Sequence, residues 1–317
     1  GIIGGTGYTG VELLRLMALT GVPANAVSRV PLTLSLPPHF SIRAPQWFAP
    51  LHLAWALLTA KGLTLSERYA AIRFMQALKS AKYEVNAADT VETLLAAHRQ
   101  PGKLIRYLWQ PLTISALNTP IATASAQVFV NVLRDALASS REASDLLLPR
   151  TDLSGLFPNA ASNWLAACGN EIRHGVRVKA VFCEHGRFCL NTDAGDVGNT
   201  TFDAVVLAIG PHQFDSIALP AGSIPTTVFD YEPIVTVYLK FSSRVRLPEP
   251  MFGQTAGLAQ WFFDRRQLSA DRGQNAQDGL IAAVISASGP HEECSQEELA
   301  SRVLAELTRH TGPLPEP

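Results

Sequence analysis

GIIGGTGYTGVELLRL, residues 1–16, is the stretch from which a nucleotide-binding α/β fold is first read. Gly5, Gly7 and Gly10 have the G-x-G-x-x-G spacing that lets a backbone approach a pyrophosphate at a helix N-terminus, and Val11 to Met17 supply the helix. Such a turn follows a full strand and precedes, by roughly 20 residues, an acidic side chain for a ribose hydroxyl. Here only Gly1-Ile2-Ile3 precede it, and no Asp or Glu occurs between Glu12 and Glu67. The three glycines are phosphate candidates by geometry alone. The fingerprint is incomplete at both ends, so the expectation is a fragment whose residues 1–12 are a nucleotide-binding remnant of separate origin.

Beyond this opening the chain falls into three zones. Residues 13–144 read as mostly helical. SERYAAIRFMQALKSAK (Ser66 to Lys82) has Ser66 as its expected N-cap and Ala71, Met75 and Leu78 at helical spacing. DTVETLLAAHRQPG (Asp89 to Gly102) carries Asp89 and Glu92 at capping-box spacing, with Pro101-Gly102 as its end, and QVFVNVLRDALA (Gln127 to Ala138) is a third helix. Residues 145–216 hold a helix near Asn159 to Cys168, then strands in EIRHGVRVKAVFCEHGRFCLNTD (Glu171 to Asp193) that turn at His185-Gly186. FDAVVLAIGP (Phe202 to Pro211) is apolar without alternation from Ala204 to Ile209, the pattern of a strand covered on both faces of a parallel sheet. Residues 217–317 supply antiparallel strands around Ile234–Leu239 and Leu280–Ser286, then a charged helix from Ser295 to Gly312.

At 317 residues and 47% hydrophobic, the chain can bury a large core. Its net charge of −1 hides an asymmetry: Leu13 to Tyr83 carries eight basic residues against Glu67 alone. The residues interleaved with these are Leu, Ala, Trp and Phe rather than polar base readers, which argues against nucleic acid. RAPQWFAPLHLAWALLTAKGL (Arg43 to Leu63) sets Trp47, Phe48 and Trp55 between Arg43 and Lys61. It is too short between charges to span a bilayer, which takes roughly 20 apolar residues, so it reads as a face lying on an anionic membrane surface or as a buried helix beside a cationic one. Four cysteines make no disulfide framework, and Cys183 and Cys189, across the expected hairpin, point to opposite faces. No metal-ligand spacing is found, and His174, His185, His212 and His291 are read as solvated or locally bonded. Asp152 and Asp203 are read as turn or cap residues.

From Leu13 onward the segments RVPLTLSLP, APLHLAWALLTAKGLTLSERYAAIRFMQAL, YLWQPLTISALNTP, SAQVFVNVLRDAL, SDLLLPRTDLSGLFP, FDAVVLAIGPH, YEPIVTVYLKF and GLIAAVISASG resemble the hydroxysqualene dehydroxylases. These are squalene-associated, FAD-dependent, desaturase-like enzymes similar in build to flavin amine oxidases. The resemblance implies a two-domain FAD-binding α/β flavoprotein with an α+β substrate domain. It also implies reductive removal of a hydroxyl from hydroxysqualene to give squalene, with reduced FAD as hydride donor; desaturation on the same architecture stays open. It implies a cytoplasmic protein held peripherally at the inner face of the cell membrane. By the same resemblance Val178, Ala208, Ile209 and Gly210 approach the cofactor, while Trp109, Asn118 and Trp261 are candidates to line the substrate region. The family's glycine-rich FAD unit and its terminal flavin turn find no counterpart here, so truncation at both ends is expected. The first 16 residues instead resemble N-acetyl-gamma-glutamyl-phosphate reductase and keep an NADP-dependent alternative open, as does a lipid-binding remnant without catalysis.

Overall fold

The structure, a computed structural model, describes residues 26–138, 140–193, 195–196, 201–222, 229–241, 245–268, 279–315 and 317. Gly5, Gly7, Gly10 and the helix expected after them lie outside the described residues. The fold is mixed α/β. Contacts divide it into a larger unit, formed by the described residues up to Ala161 and from Glu232 to Pro317, and a smaller one, Ser162–Tyr231.

The larger unit begins with β1 (Val27–Val30), β2 (Thr33–Leu36) and β3 (Phe40–Arg43), and β2 and β3 form a hairpin. Helices α1 (Leu51–Thr59) and α2 (Leu65–Ser80) follow. Gly62, at φ +87°, joins them where a Cβ would collide with the His39 carbonyl oxygen, so only glycine fits. The cap of α2 is Thr64, not Ser66: its hydroxyl accepts from Glu67 N–H while the Glu67 carboxylate accepts from Thr64 N–H. The two caps lie two residues apart, but only Thr64 has an acidic residue three positions on to close the box.

Helix α3 (Val91–Ala97) is capped in the same reciprocal way by Thr90 and Thr93, rather than by Asp89 and Glu92. It stops at His98, before left-handed Arg99, and Pro101 then opens the next helix instead of closing this one. That next helix has three parts: α4 (Gly102–Leu104), a π-turn at Ile105–Trp109, and α5 (Gln110–Leu117). The cause of the π-turn lies in the sequence. Pro111 has no N–H and its ring would strike the carbonyl four residues back, on Tyr107; the wider turn, in which Gln110 N–H donates to Ile105, removes the clash. Helix α6 (Ala126–Leu137) packs Phe129, Val130 and Leu133 into the core. Strand β4 (Leu146–Pro149) returns to pair with β1.

After α7 (Leu153–Leu156) and α8 (Pro158–Ala167) the smaller unit forms a three-stranded antiparallel sheet of β5 (Val178–Glu184), β6 (Arg187–Thr192) and β7 (Gly195–Asp196). The hairpin turns at His185-Gly186 with Cys183 opposite Phe188 and Phe182 opposite Cys189, so the thiols face apart and both are free. Two expectations fail here. Residues 171–177 form no strand, since left-handed Gly175 interrupts them and Val178 begins the strand rather than ending one. Ala204 to Ile209 is not a buried parallel strand either: beyond the bridge from Phe202 to Phe188 it has no strand partner among the described residues, and Val206 is 89% exposed. A doubly covered strand depends on neighbours at both edges, and apolar content alone does not supply them.

The chain re-enters the larger unit through β8 (Ile234–Lys240), β9 (Met251–Gly253), β10 (Trp261–Asp264), α9 (Arg265–Leu268), β11 (Leu280–Ser286) and α10 (Gln296–Thr311). The strands form one antiparallel sheet in the order β8-β11-β10-β9. Alternation along the strands assigns its faces. Phe262, Ile281, Ala283 and Ile285 pack with Val303 and Leu307 of α10; Met251, Trp261, Phe263 and Val284 join the core of the helical part.

Two buried polar clusters pin these layers. The Glu306 carboxylate on α10 accepts from Gln254 Nε2 at 2.6 Å, Leu258 N–H at 2.7 Å and Ala259 N–H at 3.1 Å. Glu306→Ala strands these donors, and urea denaturation should show a loss of about 2–4 kcal/mol. His52 of α1 lies 3.0 Å from the Ser144 hydroxyl, beside Asp145, which Arg141 pairs at 3.2 Å. Burial, then the Arg141 charge, lower the His52 pKa from its ordinary value. The unfolded chain then binds more protons, so the stability His52 contributes is intact above about pH 6.5 and is lost as pH falls towards the folded-state value. Thermal melts from pH 8 to pH 5 should show a decline below about 6.5 that is shallower in His52→Leu.

Candidate functional site

The larger unit carries an open cavity of about 340 Å³, within the range of ligand sites, which runs from about 300 to 1,000 Å³. Its walls come from elements far apart in sequence. The β2–β3 hairpin gives Leu34 and Ile42, α1 gives Leu53 and Leu57, α2 gives Ile72 and Met75, and the sheet gives Met251 and Trp261. The helical stretch around the π-turn contributes Leu108, Trp109, Pro111 and Leu112. Leu108, Trp109, Pro111, Leu112 and Ser115 recur at helical spacing, so one face of this stretch lies along the wall.

Each tryptophan of the wall has its N–H satisfied by a protein partner, which leaves the ring as apolar surface. Trp109 donates to Gln100 Oε1 at 2.9 Å, and its ring meets Phe74 and Phe129 edge-on. Gln100 is fixed in turn by donating to the Ala70 carbonyl. Trp261 donates to Ser115 Oγ at 2.8 Å. Asn118 takes another place. At φ 51° it ends α5, donates to the Glu232 and Pro233 carbonyls and accepts from Ala287 N–H, so it ties α5 to the ends of β8 and β11 and is absent from the cavity wall.

The expected cofactor residues lie in the smaller unit. Val178 opposes Thr192 at the start of β5. Ala208, Ile209 and Gly210 form an irregular segment in which Gly210 N–H donates to Gln213 Oε1, and a Cβ on Gly210 would collide with the His212 ring. The space beside Gly210 is therefore taken by the chain itself. Among the described residues no group of three or more His, Cys, Asp or Glu is placed to hold a metal ion.

Helix α1 has a second face. Opposite Leu53 and Leu57, the residues Trp47, Phe48, Leu51, Trp55 and Leu58 are exposed, with Phe48 at 70%, and the rings of Trp47 and Trp55 lie 5.1 Å apart. Leu65 and Tyr69 on α2 are also exposed, and Arg43, Lys61 and Arg73 stand in the same stretch. Arg68 closes the C-terminal end of α1 by donating to the Leu58 and Ala60 carbonyls. Among the described residues no helix is long and apolar enough to cross a membrane.

The polar anchors around the cavity were the part that motif reading missed. His52, Gln100 and Ser115 belong to no recognised spacing, and only the Pro at position 111 of YLWQP signals the π-turn.

Residues 32–317 match the family described as flavin containing amine oxidoreductase. A hydroxysqualene dehydroxylase of Sinorhizobium fredii is 27% identical over 164 residues, covering 51% of this chain and 38% of that protein. A hydroxysqualene dehydroxylase of Zymomonas mobilis is 23% identical over 257 residues, covering 79% and 55%. Among solved structures, an oxidoreductase from Methanosarcina mazei superposes with a TM-score of 0.68 at 11% identity, covering 95% of this chain and 70% of that one, a likeness of fold. The chain spans about half or less of the length of the two curated relatives.

Met75 projects into the cavity from a half-buried position. Met75→Trp should narrow the cavity and weaken binding of the neutral probe Nile red, at a stability cost of no more than about 1–3 kcal/mol, read by fluorescence titration and urea unfolding.

Proposed function

The chain belongs to the flavin containing amine oxidoreductases, whose cofactor is FAD, and we propose that within them it acts on long isoprenoid chains, converting hydroxysqualene to squalene. The observation that carries the reading is the mostly apolar cavity of the larger unit, in a chain whose curated relatives are named for that reaction. Hydroxyl removal from a hydrocarbon needs a site that binds by apolar contact and keeps water from the reacting carbon. Trp109 and Trp261, with their N–H groups bonded to Gln100 and Ser115, offer ring surface and no free donor to compete for solvent. Leu34, Ile42, Leu57, Ile72 and Leu112 complete the apolar lining. For each large side chain that a substrate covers fully, the gain is roughly 1.5–3 kcal/mol. Given hydroxysqualene, FAD and a reductant without oxygen, the full-length protein should release squalene, measured by gas chromatography. A desaturated product, or none, would overturn the reading.

Peripheral attachment to the inner face of the cell membrane belongs to the same proposal. Its support is the exposed Trp47, Phe48, Leu51 and Trp55 face among basic residues, on the helix whose other side walls the cavity. A water-insoluble substrate would then pass from lipid past α1. Vesicles containing anionic lipid should float the protein, less so at high salt, and the double variant Phe48→Ser with Trp55→Ser should cut flotation by about tenfold. Equal flotation of the variant would remove α1 from the contact.

A further inference from the structure

The cavity wall carries a hydroxyl whose oxygen is fixed by a neighbour and whose proton has no acceptor in the protein. Ser115 lies on the cavity-facing side of α5, one turn beyond Leu112. Its Oγ accepts from the indole N–H of Trp261, which stands on β10 in the same wall, at 2.8 Å. An indole N–H can only donate, so the sense of this bond is set.

A hydroxyl within a helix commonly returns its proton to the carbonyl four residues back. Thr59, Thr113, Thr308 and Thr311 do so, donating to the carbonyls of Trp55, Trp109, Leu304 and Leu307 at 2.8–3.1 Å. Ser115 does not: among the described residues its Oγ–H meets no protein acceptor. The other polar groups of the wall differ from it. Thr33 gives its proton to the Pro31 carbonyl at 3.1 Å, Gln76 and Lys79 are exposed to solvent, and no hydrogen bond among the described residues orients the Tyr83 hydroxyl. Ser115 is half-buried, and Trp261 beside it is 8% exposed.

The bond from Trp261 has two consequences. One lone pair of Oγ receives the indole proton, so the hydroxyl proton must point away from Trp261. Receiving that proton also polarises the O–H bond and strengthens it as a donor, as in any chain of hydrogen bonds. The chain Trp261 to Ser115 therefore lacks only its last member, an oxygen acceptor.

We propose that Ser115 is the alcohol-recognition residue of the cavity, donating to the hydroxyl oxygen of an isoprenoid alcohol and holding that part of the chain where α5 meets β10. The inference rests on reading the cavity as a site for such chains, and adds the residue that meets their oxygen. A neutral donor suits an uncharged acceptor, and Leu112 and the Trp261 ring beside it remain for hydrocarbon. A chain without oxygen would cover the Ser115 hydroxyl and return no acceptor for it. The site thus separates an alcohol from its deoxygenated counterpart. A product that has lost its hydroxyl has lost the group Ser115 holds, which favours its departure over that of the substrate.

The test is displacement of Nile red from the full chain by geraniol and by myrcene, an isoprenoid alcohol and a hydrocarbon of the same carbon number. Ser115→Ala alone would strand the Trp261 N–H, so the informative comparison is Trp261→Phe against the double variant Trp261→Phe with Ser115→Ala, in which neither partner is left unpaired. Trp261→Phe keeps the hydroxyl. Adding Ser115→Ala should raise the concentration of geraniol needed by about fivefold and that of myrcene by less than about twofold. The same shift for both compounds, or none for geraniol, overturns the role of Ser115 and leaves the chain site standing. Failure of both compounds to displace Nile red from the unaltered protein overturns the chain site and this inference with it.

Discussion

Trp109 has to bury the largest ring in the chain while giving its indole N–H a partner, and the architecture of the larger unit follows from meeting both demands. The N–H goes to Gln100, in the loop that closes α3, and the ring is held edge-on between Phe74 of α2 and Phe129 of α6. Three helices and a loop are thereby fixed around one side chain. Its remaining surface faces the cavity, and the π-turn imposed by Pro111 sets the angle at which it does so.

The second constraint is the sheet, which must be apolar on both faces while carrying polar partners at its edges. One face packs on α10 and the other joins the cavity core. The polar needs of its loops are met by Glu306 and Asp264. Asp264 is fully buried and accepts from Leu247 N–H, Gln267 N–H and Gln267 Nε2. Both carboxylates saturate backbone donors, and they read as structural for that reason. Asn118 does similar work at the far end of α5.

Much of this was legible in the sequence. The helical periods of α2, α3, α6 and α10 and the strand patterns of β8 and β11 are local, and so is the His185-Gly186 turn that fixes the register of Cys183 and Cys189. Trp109 and Trp261 could be nominated from a resemblance, but not the partners that satisfy their N–H groups, because Gln100 and Ser115 are brought near only by packing. The caps differ from Ser66 and Asp89 because several residues of capping type stand side by side: Glu67, three positions on, selects Thr64, whereas Thr90 caps with Thr93 although Glu92 stands three positions after Asp89. Ala204 to Ile209 misled for a deeper reason: an apolar run states what a segment tolerates, whereas a buried strand depends on neighbours elsewhere. The left-handed turn at Lys82 and Tyr83 was invisible because it contains neither Gly nor Asn.

The central claim is that a long apolar chain occupies the cavity between α1, α2, the π-turn and the sheet. Photolabelling the full-length protein with a long isoprenoid carrying an aliphatic diazirine, followed by peptide mapping, tests it directly. The account predicts adducts on residues 53–57, 72–79, 108–112 and 251–261, competed away by unlabelled chain. Labelling concentrated in residues 162–231, or spread without competition, would contradict it.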